Sequence, residues 1–322
     1  MNAAFVSLPD ALAESRVVAG HGGRPIRLYR WRGGRAGGPA LLWGHANGFA
    51  AGSYATLFAA LAADLDIFAF DAAGHGGSAQ PDAGADLAAF CAPDALADDA
   101  FAVANAVRDW AGRAFVYGAH SLCGAAMLRL AVADAARFAS LSLRGLALFE
   151  PPSFPPEGHR LHAAAEANSV KRIARTSVRR AQFAGGPAEL AAYLTGREIF
   201  KGFRPDQIDA HARATLMPVG DTWMLACTPA VETAIFRAFR GPVLFPRLDR
   251  IPRALPVRLV AGDLAMAEAE GASVTAMMPD VAAKIGHAKL TEFPGATHMM
   301  VFEREAESAA VLKAFAADPE SR

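Results

Sequence analysis

Cysteine is scarce in this sequence of 322 residues. The three copies, Cys91, Cys123 and Cys227, include no C-x-x-C pair, so the pattern predicts neither a disulfide framework nor a zinc site. An excess of one charge is also missing, because 32 Lys and Arg residues balance 32 Asp and Glu residues. A chain with a formal net charge of zero is a poor match for nucleic acid, and we expect no nucleic-acid partner.

Long apolar runs are absent as well. Hydrophobic residues make up 53% of the chain, yet no stretch reaches the roughly 18 consecutive apolar residues of a membrane-spanning helix. Residues 1–16 lack the basic start and the apolar run of a secretory leader, which predicts a cytoplasmic protein without membrane contact. The glycine-rich stretches near Gly33 and Gly185 form no G-x-G-x-x-G pattern between a strand and a helix, so we expect no nucleotide site. His159 and His162 are three residues apart but have no third ligand nearby, so we expect no metal. No other cofactor is expected.

What the sequence does contain is a regular alternation of short apolar runs and helical segments. A hairpin is predicted over 17–32 because a Gly-Gly pair separates two loosely alternating runs. The next predicted strands are 40–43, 66–70, 114–117 and 143–149. The predicted helices cover 54–65 and 93–113, and a further helix begins at residue 122. Strands that alternate with helices are typical of an α/β fold with a mostly parallel sheet covered on both faces.

The alternation stops in the middle of the chain and then resumes. Residues 152–252 are predicted to be helical and loop-like, without a clear apolar strand. The alternation returns with a strand at 257–261, a helix at 273–285, a strand at 289–293 and a helix at 303–316. We therefore expect a core of residues 1–151 and 253–322, into which a helical cap of residues 152–252 is inserted.

A serine stands at the predicted turn between the strand that begins near Phe115 and the helix that begins at Leu122. Ser121 has small residues two positions before and after it, Ala119 and Cys123, as a tight turn requires. Such a turn exposes a hydroxyl at the N-terminus of a helix, where backbone N–H groups and the helix dipole face a reacting carbonyl. The arrangement predicts a nucleophile.

Two loops after earlier strands complete the pattern. The first reads Gly-His-Ala-Asn-Gly-Phe over residues 44–49, and the second reads Asp-Ala-Ala-Gly-His-Gly-Gly-Ser over residues 71–78. Together with the serine turn, the order of these segments resembles the α/β-hydrolase superfamily over about residues 24–315, outside the predicted cap. The resemblance implies an α/β-hydrolase fold and an oxyanion hole made by the backbone N–H groups of Leu122 and Asn47.

The resemblance also places the general base on a histidine after the last strand. Of nine histidines, His298 alone follows an apolar strand, lies in a Pro-Gly loop and precedes the final helix. Its task would be to take the Ser121 proton and to return one to the leaving group.

The carboxylate that orients this histidine has two candidate positions. The segment Leu-Phe-Glu-Pro-Pro ends the strand before the cap and places Glu150 where many haloalkane dehalogenases carry a catalytic glutamate. Asp263 follows the strand after the cap, two residues before the position at which the family usually has its aspartate. Glu150 is preferred, Asp263 is the alternative, and another acid such as Glu268 is a third choice. Unlike the dehalogenases, which use an aspartate nucleophile, a chain with Ser121 is expected to catalyse acyl transfer.

These residues predict an enzyme that hydrolyses a carboxylic ester of a small to medium, largely apolar molecule through an acyl-enzyme. Carbon–carbon, amide and thioester hydrolysis on the same residues stay open, because a fold does not determine the substrate. The alternative of another class is a non-catalytic small-molecule receptor, suggested by the missing aspartate and the altered serine turn. The expected partner is a small-molecule substrate, and the expected state is a monomer or homodimer.

Further side chains are candidate substrate contacts: His45, Phe49, His120, Trp223 and Met299. Phe236 and Phe239, in the later half of the predicted cap, are candidates for an apolar pocket. The predicted cap also carries a basic run over 171–180, in which Arg172, Arg175 and Arg179 share one helical face. The run is interpreted as a solvated face, with binding of an anionic substrate or leaving group as the alternative.

Overall fold

The computed structural model describes residues 12–241, 243–271 and 273–320. Of the residues on which the absence of a leader was predicted, 1–11 lie outside this range. The strands are β1 (Ala13–Ala19), β2 (Pro25–Trp31), β3 (Ala40–Gly44), β4 (Asp66–Phe70), β5 (Phe115–His120), β6 (Leu143–Phe149), β7 (Gln182–Phe183), β8 (Leu216–Val219), β9 (Thr222–Leu225), β10 (Val257–Ala261) and β11 (Lys289–Glu292).

The helices alternate with these strands. They are α1 (Ala55–Leu61), α2 (Leu87–Phe90), α3 (Pro93–Ala111), α4 (Leu122–Ala133), α5 (Ala135–Ala139), α6 (His162–Ser177), α7 (Gly186–Thr195), α8 (Pro205–Thr215), α9 (Pro229–Ala238), α10 (Leu264–Glu270), α11 (Ser273–Ala276), α12 (Met278–Ile285), α13 (Met300–Glu303) and α14 (Glu305–Ala317). Short 3₁₀ turns lie at His21–Gly23, Ala51–Tyr54, Glu198–Phe200 and Phe245–Arg250. Among the described helices, none has the length and the apolar composition needed to cross a bilayer.

Eight of the described strands form one sheet in the order β1-β2-β4-β3-β5-β6-β10-β11. The strands from β4 to β11 in this order run parallel, and β1 and β2 are antiparallel additions at one edge. Parallel strands have their carboxyl ends at the same edge of the sheet, where ligands of open α/β sheets bind. The fold therefore brings the segments after β3, β5, β6 and β10 together.

The central strands are buried on both faces because their side chains alternate between two apolar cores. In β3, Leu41 and Trp43 belong to the core that includes α1 and α14. Ala40 and Leu42 belong to the core that includes α3, α4 and α12. Burial on both faces explains why these strands read as short continuous apolar runs. The predicted mostly parallel sheet with helices on both faces is confirmed.

The segment between β6 and β10, residues 150–256, differs from the prediction in one respect. No strand was predicted there, but β7, β9 and β8 form a small antiparallel sheet. These strands are only two to four residues long, and β8 contains a proline, which is unusual inside a strand. A two-residue turn at Gly220 and Asp221 joins β8 to β9, and a Gly-Asp pair is itself a hairpin signal.

Several predicted boundaries are also corrected. The single helix predicted over 273–285 is divided into α11 and α12, since Pro279 occupies the first turn of α12 and has no N–H for a continuing helix. The unpredicted α10 begins after Asp263 and ends at Gly271, whose φ is +69°. β5 extends three residues beyond the predicted end at Tyr117, directly to the serine turn.

Candidate active site

Ser121 lies at a sharp turn between β5 and α4. Its φ of +57° and ψ of −112° are a strained combination for a residue with a side chain, which costs on the order of 1–3 kcal/mol. The Ser121 N–H donates to the carbonyl of Phe149 at 2.9 Å and so ties the turn to β6. Space is limited here, because a Cβ at Gly44 would lie 2.3 Å from the Cβ of Cys123. The small residues around the serine therefore fit the close approach of α4 to β3.

His298 lies between β11 and α13, and its ring joins the serine to a carboxylate. Nε2 of His298 is 3.2 Å from Ser121 Oγ, and Nδ1 is 2.5 Å from Glu150 Oε2. Because an ionised carboxylate only accepts hydrogen bonds, Nδ1 carries the proton in this arrangement. Nε2 is then free to accept the proton of the Ser121 hydroxyl.

Glu150 follows β6 directly and is fully buried, with a φ of +46°. Besides the His298 ring, its carboxylate accepts the Gly262 N–H at 2.7 Å and the Thr275 hydroxyl at 2.9 Å. Three donors compensate for the water that the buried carboxylate has lost. Sequence reasoning missed Gly262 and Thr275. A glycine at the end of β10 was a weak signal for the first, and no local pattern marks the second.

The two alternative acids have other partners. Asp263 accepts the N–H groups of Met266 and Gly295, each at 2.8 Å, and these bonds lower the pKa of its carboxyl group. It therefore caps α10 and fixes the loop before His298. Glu268 pairs with Arg160 at 2.7 Å on the surface. Of the three acids, the structure brings Glu150 to His298.

The two residues predicted to form an oxyanion hole, Leu122 and Asn47, line the cavity beside Ser121. Leu122 is the first residue of α4, where an N–H has no acceptor within the helix. Asn47 follows β3 and lines the same cavity as Ser121 and Leu122. The Asn47 side chain is held in place, with Nδ2 donating to the carbonyl of Glu232 at 3.1 Å. This bond fixes the Asn47 side chain at the wall of the cavity.

Two buried histidines hold the loop after β3. His45 donates from Nδ1 to the Ala46 carbonyl and accepts the Ala72 N–H at Nε2, both at 2.8 Å. His75 accepts the Gly48 N–H at Nε2, at 3.1 Å. Burial lowers the pKa of both rings, so each stays neutral and keeps an accepting nitrogen.

The five side chains predicted to contact substrate do not line the cavity beside Ser121. His45 and His120 are fully buried and bonded within the core. Phe49 and Met299 pack into an apolar core, and Trp223 pairs across the small sheet on β9. The lining of this cavity therefore does not support direct substrate contact by these five side chains. Their sequence neighbourhood pointed to the site, but four of the five side chains are buried and Trp223 is half-buried.

The cavity itself has a volume of about 80 Å³. Its apolar lining includes Ile235, Phe236 and Phe239 of the segment between β6 and β10, and its polar lining includes Ser153 and Arg172. Within the described part of the chain, no group of three or more His, Cys, Asp or Glu residues is placed to hold a metal ion. The arrangement beside the cavity therefore consists of a serine, an imidazole, a carboxylate and backbone donors.

Known proteins share this architecture. One similar solved structure is E-2-(acetamidomethylene)succinate hydrolase, with 20% sequence identity and a TM-score of 0.67 over 94% of this chain and 98% of the other. A second is the thioesterase domain from the curacin biosynthetic pathway, with 17% identity and a TM-score of 0.68 over 94% of this chain and 99% of the other. A third is the enol-lactonase from Burkholderia xenovorans LB400, with 17% identity and a TM-score of 0.62 over 94% of this chain and 100% of the other. No curated protein matches the sequence. A family profile described as the alpha/beta hydrolase family matches residues 11–311. With this match over nearly the whole chain, the protein belongs to the alpha/beta hydrolase family.

Proposed function

We propose that this protein is a serine hydrolase that cleaves a carboxylic ester of a small molecule through an acyl-enzyme. Ser121 is the nucleophile, His298 the general base and Glu150 the acid that orients it. The observation that supports the proposal is the continuous contact from Ser121 Oγ through the His298 ring to the Glu150 carboxylate. A strained serine turn and a buried carboxylate both cost stability, and catalysis gives a reason to keep them.

In the first half of the reaction, Ser121 Oγ attacks the ester carbonyl while Nε2 of His298 takes its proton. Glu150 stabilises the resulting imidazolium through the bond at Nδ1. The backbone N–H groups of Leu122 and Asn47 donate to the oxyanion, and one such donor is typically worth a factor on the order of 10²–10³ in kcat. The proton on Nε2 then passes to the departing alcohol, which leaves an acyl group on Ser121.

In the second half, water takes the place of the alcohol. Nε2 of His298 removes a proton from this water, whose oxygen attacks the acyl carbonyl. The tetrahedral intermediate collapses, Ser121 recovers its proton and the carboxylic acid leaves. The residues named here supply every proton transfer, so the proposed reaction uses no cofactor.

We further propose that residues 152–252 act as a cap that closes the site. The apolar side chains of Phe236 and Phe239 in the cavity support a substrate with a small to medium apolar part. The similar structures are named as a hydrolase, a thioesterase and a lactonase, so amide and thioester hydrolysis stay as alternatives on the same residues. We expect the enzyme to act in the cytoplasm as a monomer or homodimer.

The proposal is tested by the turnover of p-nitrophenyl acetate and butyrate. We expect a burst of p-nitrophenol that approaches one equivalent of protein, followed by slower steady turnover. Ser121→Ala should abolish both phases, whereas Ser177→Ala, an exposed serine on α6, should retain them. Ligand binding without turnover by the parent protein would instead support the receptor alternative.

A further inference from the structure

The cavity beside Ser121 is lined by a cation that has no ion-pair partner among the described residues and is partly open to solvent, and the inference from it rests on the proposed function. Arg172, on α6, lines the cavity together with Ser121. Its guanidinium lies 5.2 Å from the centroid of the Phe236 ring. Within the described part of the chain, it forms no ion pair and donates no hydrogen bond, and the charge of Glu232 acts on it only from a greater distance.

Three nearby arginines differ from Arg172 because each of them has a carboxylate partner. In the same basic run, Arg179 pairs with Glu232 and Arg180 pairs with Glu189. Arg240 also lines the cavity, but it pairs with Glu166. For those residues the interpretation as ordinary surface and structural charges holds. Among the described residues of the lining, Arg172 is the cation left for a ligand.

A second polar group faces the same cavity. Ser153 is only 5% exposed and lines the cavity, yet its Oγ has no hydrogen-bond partner among the described residues. A buried hydroxyl without a partner destabilises a protein, which makes an acceptor on a bound ligand the natural partner. Ser153 follows Glu150 by three residues through a Pro-Pro pair, so its position is tied to the catalytic carboxylate.

We propose that the substrate carries a second, uncleaved carboxylate, which Arg172 and Ser153 bind while Ser121 attacks the ester. The planar guanidinium offers two parallel N–H donors that match a carboxylate, and the Ser153 hydroxyl donates a third hydrogen bond. The apolar side chains between these groups accommodate the chain that joins the carboxylate to the ester. The small cavity volume of about 80 Å³ favours a short chain. The substrate class is therefore the monoester of a short dicarboxylic acid or an ester of a small carboxylate-bearing alcohol.

The test compares matched substrates on the full chain. p-Nitrophenyl hydrogen glutarate and adipate are paired with the same compounds in which the far carboxylate is a methyl ester. 4-Acetoxybenzoate and its methyl ester place the charge on the leaving group instead. We expect the parent enzyme to prefer the charged member of at least one pair by roughly 10- to 100-fold in kcat/KM, as for a charge-assisted hydrogen bond.

Substitution of Arg172 separates recognition from chemistry. Arg172→Met should bring the ratio of kcat/KM for the charged and uncharged members close to one, and Arg172→Lys should restore part of it. Arg175→Met is the matched control, because Arg175 is exposed on the same helix, as Arg172 is, but does not line the cavity. The inference is overturned if the parent enzyme shows no preference for charge or if Arg172→Met keeps it. A phosphonate-ended ester preferred over the carboxylate would overturn the choice of carboxylate.

A second readout distinguishes failure of this inference from failure of the proposed function. Adipate should slow the labelling of Ser121 by a fluorophosphonate in the parent enzyme but not in Arg172→Met. If Ser121 is labelled and the charged and uncharged esters are hydrolysed equally well, the proposed carboxylate site is wrong but the proposed hydrolase activity is supported. If no ester is hydrolysed but adipate raises the Tm of the parent protein and not that of Arg172→Met, the proposed hydrolase activity is wrong but the proposed carboxylate site is supported.

Discussion

At the scale of single residues, two carboxylates at neighbouring strand ends have different tasks because they have different donors. Glu150 accepts from the His298 ring, whereas Asp263 accepts only backbone N–H groups at the start of α10 and before His298. Glu150→Gln should lower kcat for an aryl ester by a factor on the order of 10³–10⁴, since the ring loses its orienting charge. Asp263→Asn should keep kcat within a few-fold, because asparagine also caps helices. The opposite ranking would show that Asp263 is the acid.

A series of buried hydrogen bonds joins the loop after β3, which contains Asn47, to the backbone of His298. The Ala46 N–H donates to Tyr54 Oη at 3.1 Å, and the Tyr54 hydroxyl donates to His120 Nδ1 at 2.9 Å. His120 donates from Nε2 to the His298 carbonyl at 2.9 Å. Burial lowers the pKa of His120 well below its usual value, so the ring stays neutral and can both accept and donate. We therefore propose that Tyr54 and His120 are positioning residues.

Removing the central hydroxyl of this series of hydrogen bonds tests the positioning role. Tyr54→Phe should lower kcat roughly 10-fold with little change in KM, because a small displacement of the base or the oxyanion loop slows the chemical step. Tyr193→Phe is the control, since the Tyr193 ring packs on Phe183 away from this series. An unchanged kcat in Tyr54→Phe would show that the series is only structural.

The residues found from the sequence are those with a local signature. Ser121 stands between small residues at a strand-to-helix turn, and His298 stands in a loop between a strand and a helix. Thr275 and Tyr54 have no such signature, because their partners are distant in the chain and only the packed sheet brings them together. His120 misled the prediction for the same reason, since its burial follows from tertiary packing.

At the scale of elements, the end of β10 meets the loop that holds His298 at very short range. A Cβ on Gly262 would lie 2.5 Å from the carbonyl oxygen of Ala296 and 2.8 Å from that of Thr297. Backbone atoms cannot move aside as a side chain can, so Gly262→Ala should displace the loop. We expect a loss of about 1–3 kcal/mol in the free energy of unfolding, together with a clear fall in kcat.

The matched control for this change is Gly196→Ala, at the C-terminal end of α7. Its φ of −85° suits any residue, and the nearest atom to an added Cβ is 3.9 Å away. Urea unfolding and ester kinetics of both variants check the prediction. Equal stability and equal kcat in the two variants would contradict the close approach of β10 to the His298 loop.

The strands that were predicted correctly from the sequence are the more deeply buried ones. Parallel strands such as β4 and β6, buried over most of their length, were predicted with correct bounds because their apolar runs are continuous. The small sheet of β7, β9 and β8 was missed because only three of its ten residues are buried and because Pro218 interrupts the apolar residues of β8. Most residues that line the cavity come from this less predictable middle segment, which is why candidate substrate contacts were harder to predict than Ser121 and His298.

At the scale of the whole molecule, buried histidines should make the fold sensitive to acid. Burial lowers the pKa of His211 to about 3, and it also lowers the pKa of His45, His75 and His120. In the unfolded chain each of these histidines takes up a proton with a pKa of about 6.5, whereas its pKa in the folded chain is lower. The free energy of unfolding should therefore fall as the pH decreases below about 6.5, by up to about 1.4 kcal/mol per pH unit for each group.

Urea unfolding between about pH 5 and pH 7 measures this slope. His211→Asn should reduce it, because asparagine cannot take up a proton and its amide can replace the bond from Nδ1 to Ser53 Oγ. A slope that is identical in the parent protein and the variant would show that His211 does not contribute to acid sensitivity.

The most direct test of the central claim is the intact mass of the protein after incubation with a fluorophosphonate, measured beside Ser121→Ala. An activated serine next to an open cavity reacts with such a reagent, so we predict one adduct on the parent protein and none on the variant. A folded parent protein that gains no adduct, or a variant that still gains one, would contradict the assignment of Ser121 as the nucleophile.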